Sequence, residues 1–189
     1  MRIRDHLLLS SATATLLAPR MGRAALAPWA ASLLIDVDHY AWYCVKQRQL
    51  SPRGAVRFFA QAMPPQHDGI RCLHSPEALA ALGLLGLRWR WARLTLLGFA
   101  FHVALDAFHT HRTRAARKAA LARDAYTCQR CGARDRTVVA HLWRQPPLLP
   151  SYRVEHFISL CGVCHEQAHA QEGGIIAPGA HGALGIAAA

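Results

Sequence analysis

Two CxxC pairs, Cys128/Cys131 and Cys161/Cys164, constrain this chain more than any other feature of its sequence. Brought together across residues 132–160, they offer four sulfur ligands in tetrahedral geometry, the arrangement of a closed structural zinc site. The stretch around them is short and poor in apolar side chains, so a bound metal has to supply folding energy that burial cannot. Paired CxxC turns suit thiolate ligands better than a disulfide framework. Thiolates persist in a reducing compartment, which points to a cytosolic setting for this half.

Histidines accompany the cysteines. His165 and His169 stand at i and i+4 of an expected helix, one above the other on the same face. Imidazoles in that relation can hold a second cation that the four sulfurs do not need. His141 follows "TVVA", which reads as a short strand. A strand bearing a histidine, a loop containing "QPPLLP" and a helix bearing HxxxH, stapled by paired CxxC, resemble the ββα-metal finger of HNH endonucleases over residues 122–170, lead-in "RDAYTCQRCG" included.

That resemblance implies hydrolysis of nucleic-acid phosphodiester bonds. His141 matches the general base, and His165 and His169 match the ligands of a catalytic Mg2+ or another divalent cation. His156 falls where the family usually has the asparagine that orients the base. An imidazole there can orient His141 or complete the metal shell. The residue before the base, often Asp or His in the family, is Ala140. Read without the resemblance, the same segment is also compatible with a zinc ribbon whose histidines are incidental.

The chain carries 22 Lys and Arg against 11 Asp and Glu, a formal charge of +11. Such a surplus favours nucleic acid or anionic headgroups as partner. Arg123, Arg130, Arg134, Arg136 and Arg144 are the candidate phosphate contacts of the cysteine-bearing half, with DNA as the expected partner. None of them predicts base-specific readout.

Apolar residues concentrate in the first 108 positions, in runs at 7–18, 24–35, 78–87 and 94–105. A spanning helix needs roughly 20 apolar residues, so each run reaches that length only through its flanks. "RWRWAR" at 88–93 places arginines and tryptophans between two runs, as a cytoplasmic membrane interface would. The alternative is a soluble helical core. The first 19 residues have the form of a signal segment and are read as retained. Residues 51–69 read as a loop with a short amphipathic piece.

Polar residues punctuate these runs: His6, the DxDH of Asp36, Asp38 and His39, His74 in "LHSP", then His102, Asp106 and His109 in "FHVALDAFH". Acidic groups beside apolar runs are costly unless paired or metal-bound. Imidazole with carboxylate suits zinc, iron or manganese. The order of the motifs resembles the LexA-binding, metal-dependent hydrolases of the bacterial inner membrane, over residues 1–109. The resemblance implies a second metal site with His6, Asp36, Asp38, His39, His74, His102 and Asp106 as ligands, and His109 as an extra. A bundle whose polar residues simply pair with one another is the alternative.

The expected architecture is an α-helical, membrane-associated N-terminal bundle plus a small α+β, zinc-stapled ββα-metal domain. The segments are 1–109 for the bundle, 110–123 for a basic linker helix, 124–171 for the HNH domain and 172–189 for a disordered tail. The expected location is the bacterial inner membrane, with the C-terminal domain in the cytoplasm. The competing expectation puts hydrolysis in the N-terminal Asp/His cluster, with the zinc module only binding nucleic acid.

Overall fold

The computed structural model describes residues 3–59, 72–144, 146 and 148–170. Seven helices and one two-stranded sheet are seen among them. The chain divides into two compact units, Met1–Ala107 and Phe108–Ala189.

Unit one contains α1 (Ile3–Met21), a 3-10 turn at Gly22–Ala25, α2 (Leu26–Leu34), α3 (Val37–Gln47), α4 (Pro52–Phe59), a 3-10 turn at Cys72–His74 and α5 (Pro76–Arg88). It also holds the first half of α6 (Arg90–Arg123). The four apolar runs lie on α1, α2, α5 and α6. Local chemistry sets several ends. Arg48 adopts φ +51° at the close of α3, a left-handed helix stop. Ser75 caps α5 by accepting from the Ala78 N–H at 3.1 Å, and Pro76 follows at the first helical position. The core joins Ala31, Ile35 and Phe99, with Leu73, Leu79, Leu82 and Val103 against them.

Glycine is required where α2 and α6 approach. A Cβ built on Gly98 would meet the Pro28 carbonyl oxygen, lie 2.7 Å from Ala31 Cβ and 2.9 Å from the Ser32 nitrogen. Only a residue without a side chain permits that contact.

The amphipathic piece expected within 51–69 appears as α4, and the rest of that segment lies outside the described residues. So does the tail at 172–189. The basic helix expected at 110–123 is no separate element. It continues α6 without a break, because nothing between Phe99 and Arg123 is proline or glycine. Among the described residues, α6 alone is long and apolar enough to cross a membrane by length and composition.

Unit two comprises the second half of α6, β1 (Val139–Leu142), β2 (Phe157–Leu160) and α7 (Gly162–Ala170). The strands are antiparallel, with His141 opposite Ile158 and Leu142 opposite Phe157. The expected strand starts two residues later than "TVVA" and takes His141 into itself. Strand alternation gives the ribbon two faces. Ala140, Leu142 and Phe157 pack with Ala116, Ala120 and Leu121 of α6. Ile158 and Leu160 pack instead with Cys128, Cys161, Cys164 and Ala168.

A carboxylate clamp ties the end of α6 to β2. Asp124 accepts from Arg123 Nε at 2.7 Å, Arg123 Nη2 at 2.8 Å and the Ser159 backbone N–H at 3.1 Å. Arg123 also donates to the carbonyls of Val154 at 3.1 Å and Phe157 at 2.9 Å.

Candidate functional site

The four cysteines converge. Their sulfurs all lie within 4.8 Å of one another, and none is in a disulfide. Cys131 Sγ and Cys161 Sγ are 3.6 Å apart. Tetrahedral zinc with sulfur at about 2.3 Å sets that edge near ~3.8 Å. Burial alone pushes the Cys128 thiol up, but backbone N–H groups of Cys131, Cys161 and Arg130 aim at its sulfur and bring it down to about 7. Burial and the neighbouring thiols push Cys164 upward. A group of thiols this close, with one already acidified, could hold a metal such as zinc.

A second cluster stands in the same unit. The ligand nitrogens of His141 on β1 and of His165 and His169 on α7 also lie within 4.8 Å of one another. The ring centroids are 5.1, 4.8 and 4.5 Å apart, and the Nε2 atoms of His165 and His169 are separated by 3.2 Å. The helical pair comes from the i, i+4 spacing; the third ring arrives because β1 packs beside α7. Burial, then the charges of His141, His169 and Arg117, hold His165 down to about 4. Neutral imidazole is the form that binds a cation.

His156 does not join those three rings. It lies in the turn before β2, and its Nδ1 is 2.6 Å from the buried Ser151 Oγ. It lines an open pocket of about 570 Å³ together with Arg112, Tyr152 and Arg153. Arg112 stacks over the Tyr152 ring at 5.7 Å.

The proposed phosphate-contact arginines fall into two groups. Arg123 is engaged by Asp124 and two carbonyls, and Arg130 is buried with Nη1 3.4 Å from the Cys164 carbonyl. Arg134, Arg136 and Arg144 are exposed.

In unit one, His6, Asp36, His74, His102 and Asp106 form two overlapping groups, and Asp38, His39 and His74 a third. His102 is fully buried. Its Nδ1 is 2.7 Å from the Ser32 carbonyl oxygen, which must be a donated bond. That fixes the tautomer and leaves Nε2 facing Asp36 Oδ1 and Asp106 Oδ2, both at 3.4 Å. The His6 ring stacks on His102 at 4.0 Å, with Nε2 3.1 Å from Asp106. His74 Nε2 lies 3.4 Å from Asp36, while its Nδ1 pairs with Asp38 at 3.1 Å. Asp38 also accepts from the Leu73 N–H at 3.2 Å and sits 2.5 Å from His39 Nδ1. The Nε2 atoms of His74 and His102 are buried with no hydrogen-bond partner among the described residues. These His and Asp groups could hold a metal ion.

All seven residues named for unit one from the sequence are thus gathered. His109, the proposed extra, belongs instead to unit two, where its Nδ1 is 3.0 Å from the Tyr152 hydroxyl. The sequence reading missed the Ser32 carbonyl, Gly98, Ser151 and Asp124. Of these only Gly98 carried a local signal, as a glycine one turn before His102 in an otherwise regular helix. No family model matches this chain, and neither does any curated protein or solved structure.

Proposed function

We propose that this protein is a metal-dependent endonuclease of HNH type, with its chemistry in unit two. The observation that carries the reading is the meeting of His141, His165 and His169 from a strand and a helix, beside a four-cysteine cluster. Those elements in that order, strand, strand and helix, are what a ββα-metal finger requires. A divalent cation held by the imidazoles supplies charge neutralisation at a phosphodiester. Arg134, Arg136 and Arg144 are exposed and suited to the backbone phosphates of DNA. Zinc on the cysteines holds the shape.

The same proposal includes attachment to the bacterial inner membrane, with unit two in the cytoplasm. Helix α6 has the required length and apolarity, and unit one exposes Leu16 at 75%, Val45 at 71%, Leu84 at 70% and Leu87 at 84%. Apolar side chains that exposed are compatible with a lipid phase around unit one.

The test is nicking of supercoiled plasmid by the purified full chain with magnesium, manganese, zinc or chelator. His141→Ala abolishes cleavage while the cysteine-bound zinc stays. A wild-type chain that leaves plasmid DNA and RNA intact with every ion sinks the reading, and a chain that stays in the soluble cell fraction sinks the attachment.

One observation favours a second reading, hydrolysis at unit one with the zinc module only binding nucleic acid. It is the fully buried His102, fixed by Ser32 and facing two carboxylates. There, Asp36→Ala with His102→Ala removes hydrolysis of a phosphate ester, and His141→Ala does not.

A further inference from the structure

We infer that unit two carries a second subsite for its nucleic-acid substrate, one that takes an unpaired nucleotide of single-stranded DNA. The subsite is the open pocket of about 570 Å³ between α6 and the loop before β2, whose lining includes none of the three clustered imidazoles. The inference rests on the nuclease reading for its substrate class, while binding is measured without cleavage.

A stacking platform forms one side of the pocket. Tyr152 is held by its hydroxyl, 3.0 Å from His109 Nδ1, and by the edge-on Phe108 ring at 5.8 Å. The Arg112 guanidinium lies over both rings, 5.7 Å from the centre of Tyr152 and 6.0 Å from that of Phe108. Arg112 is exposed and makes no ion pair among the described residues. A planar guanidinium seated on aromatic rings and open to solvent is a surface on which a nucleobase stacks, whatever its identity, because every base has a π-face. In a duplex those faces are covered by neighbouring pairs, so the platform selects a strand whose bases are unpaired.

Charge and shape agree with that occupant. No acidic residue lines the pocket among the described residues. Arg153, 72% exposed, is in a surface pair with Glu155 at 3.5 Å, and so weak a pair yields to a backbone phosphate. Leu148 and Leu149, both exposed, add an apolar wall for the flat side of a base. His156, which stands apart from the three-ring cluster, has a use here. The buried Ser151 engages its Nδ1 at 2.6 Å, so Nε2 is the nitrogen left to meet a base edge or a phosphate. Phosphates alone would need only the cations; the stacking plane and the apolar wall call for a base attached to the anion.

Fluorescence anisotropy of the zinc-loaded full chain with a labelled oligothymidylate tests this, with its duplex and an abasic strand of equal charge as comparisons. The oligothymidylate should bind more tightly than either. Tyr152→Leu should weaken its binding by about 5–150-fold, the range that loss of one stacked base gives, and Tyr152→Phe should restore it. Arg112→Lys, which keeps the charge and loses the plane, should weaken the normal strand and leave the abasic strand unchanged. The cobalt–thiolate absorption band of Co2+-loaded variants reports folding of the four-cysteine module. If Tyr152→Leu loses that band, the exposed Arg112→Lys decides. The inference is overturned if the duplex or the abasic strand binds as well as the oligothymidylate, or if Arg112→Lys binds all three like the wild type. It is equally overturned if Tyr152→Leu lowers binding to phosphatidylglycerol vesicles and not to the strand, which would make the pocket a headgroup site. Plasmid cleavage is read separately. A chain that binds the strand as expected yet cuts nothing upholds the subsite and removes the nuclease reading, whereas one that cuts plasmid and ignores the unpaired strand does the reverse.

Discussion

Replacing Gly98 with alanine sets helix propensity against tertiary packing with opposite signs. In the interior of a helix, Gly→Ala ordinarily stabilises by about 0.5–1 kcal/mol, through the entropy of the unfolded chain. At this position the new methyl would press on the Pro28 carbonyl, Ala31 Cβ at 2.7 Å and the Ser32 nitrogen at 2.9 Å. Two of these three atoms are backbone, so no side chain can rotate away. Carbon atoms in ordinary contact sit ~3.5–4.0 Å apart, which requires α2 and α6 to separate by about 1 Å. Overpacking of this kind costs ~1–3 kcal/mol. The consequence reaches the His/Asp cluster, because His102 lies one turn further along α6 and its Nδ1–Ser32 bond of 2.7 Å would stretch to about 3.7 Å, outside hydrogen-bond range. The expected result is a lower unfolding midpoint for unit one together with weaker metal binding by the His/Asp cluster, read by denaturant unfolding and metal titration of the full chain. An unchanged or raised midpoint with unaltered metal affinity would refute the close approach.

Removing zinc with chelator should cost unit two its structure, since the metal contributes on the order of 10 kcal/mol in comparable small modules. Hydrogen exchange of the backbone amides in β1, β2 and α7 should accelerate strongly and recover on adding zinc back. Asp124→Asn should destabilise unit two by about 2–4 kcal/mol at neutral pH, because it weakens charge-assisted bonds to Arg123 and the acceptor for the Ser159 N–H. Burial pushes the Asp124 carboxyl up, but the Arg123 guanidinium and Ser159 outweigh it and leave it below the usual range. A depressed folded value means that its contribution is present above the unfolded pKa of about 4 and is lost as pH falls below it. Wild-type unfolding midpoints should therefore lose this contribution below that pH, and the Asn variant should not show the step. Ser151→Ala should leave metal content unchanged while freeing the His156 ring, seen as a changed Nδ1 chemical shift and broader ring signals of His156 by NMR.

Periodicity and spacing were enough for what is local. The i, i+4 histidines and the four apolar runs lie on helices, where helix geometry dictates their relation, and each CxxC pair closes within one short segment of chain. The DxDH segment and His102 with Asp106 announced themselves as polar groups beside apolar runs, for the same reason. What no local pattern carries is which elements touch. The meeting of His141 with the α7 pair depends on the pairing of β1 with β2, and the separation of His156 from them depends on Ser151 in the intervening loop. Likewise His109 continues the helical face of His102 and Asp106, yet its partner is Tyr152, far along the chain. Arg130 reads as a surface cation in the sequence and is buried in the fold. Sequence by itself determined the donor atoms and their order; tertiary structure decided which of them come within reach of one another and which are held elsewhere, because that choice is set by backbone approach over long chain separations.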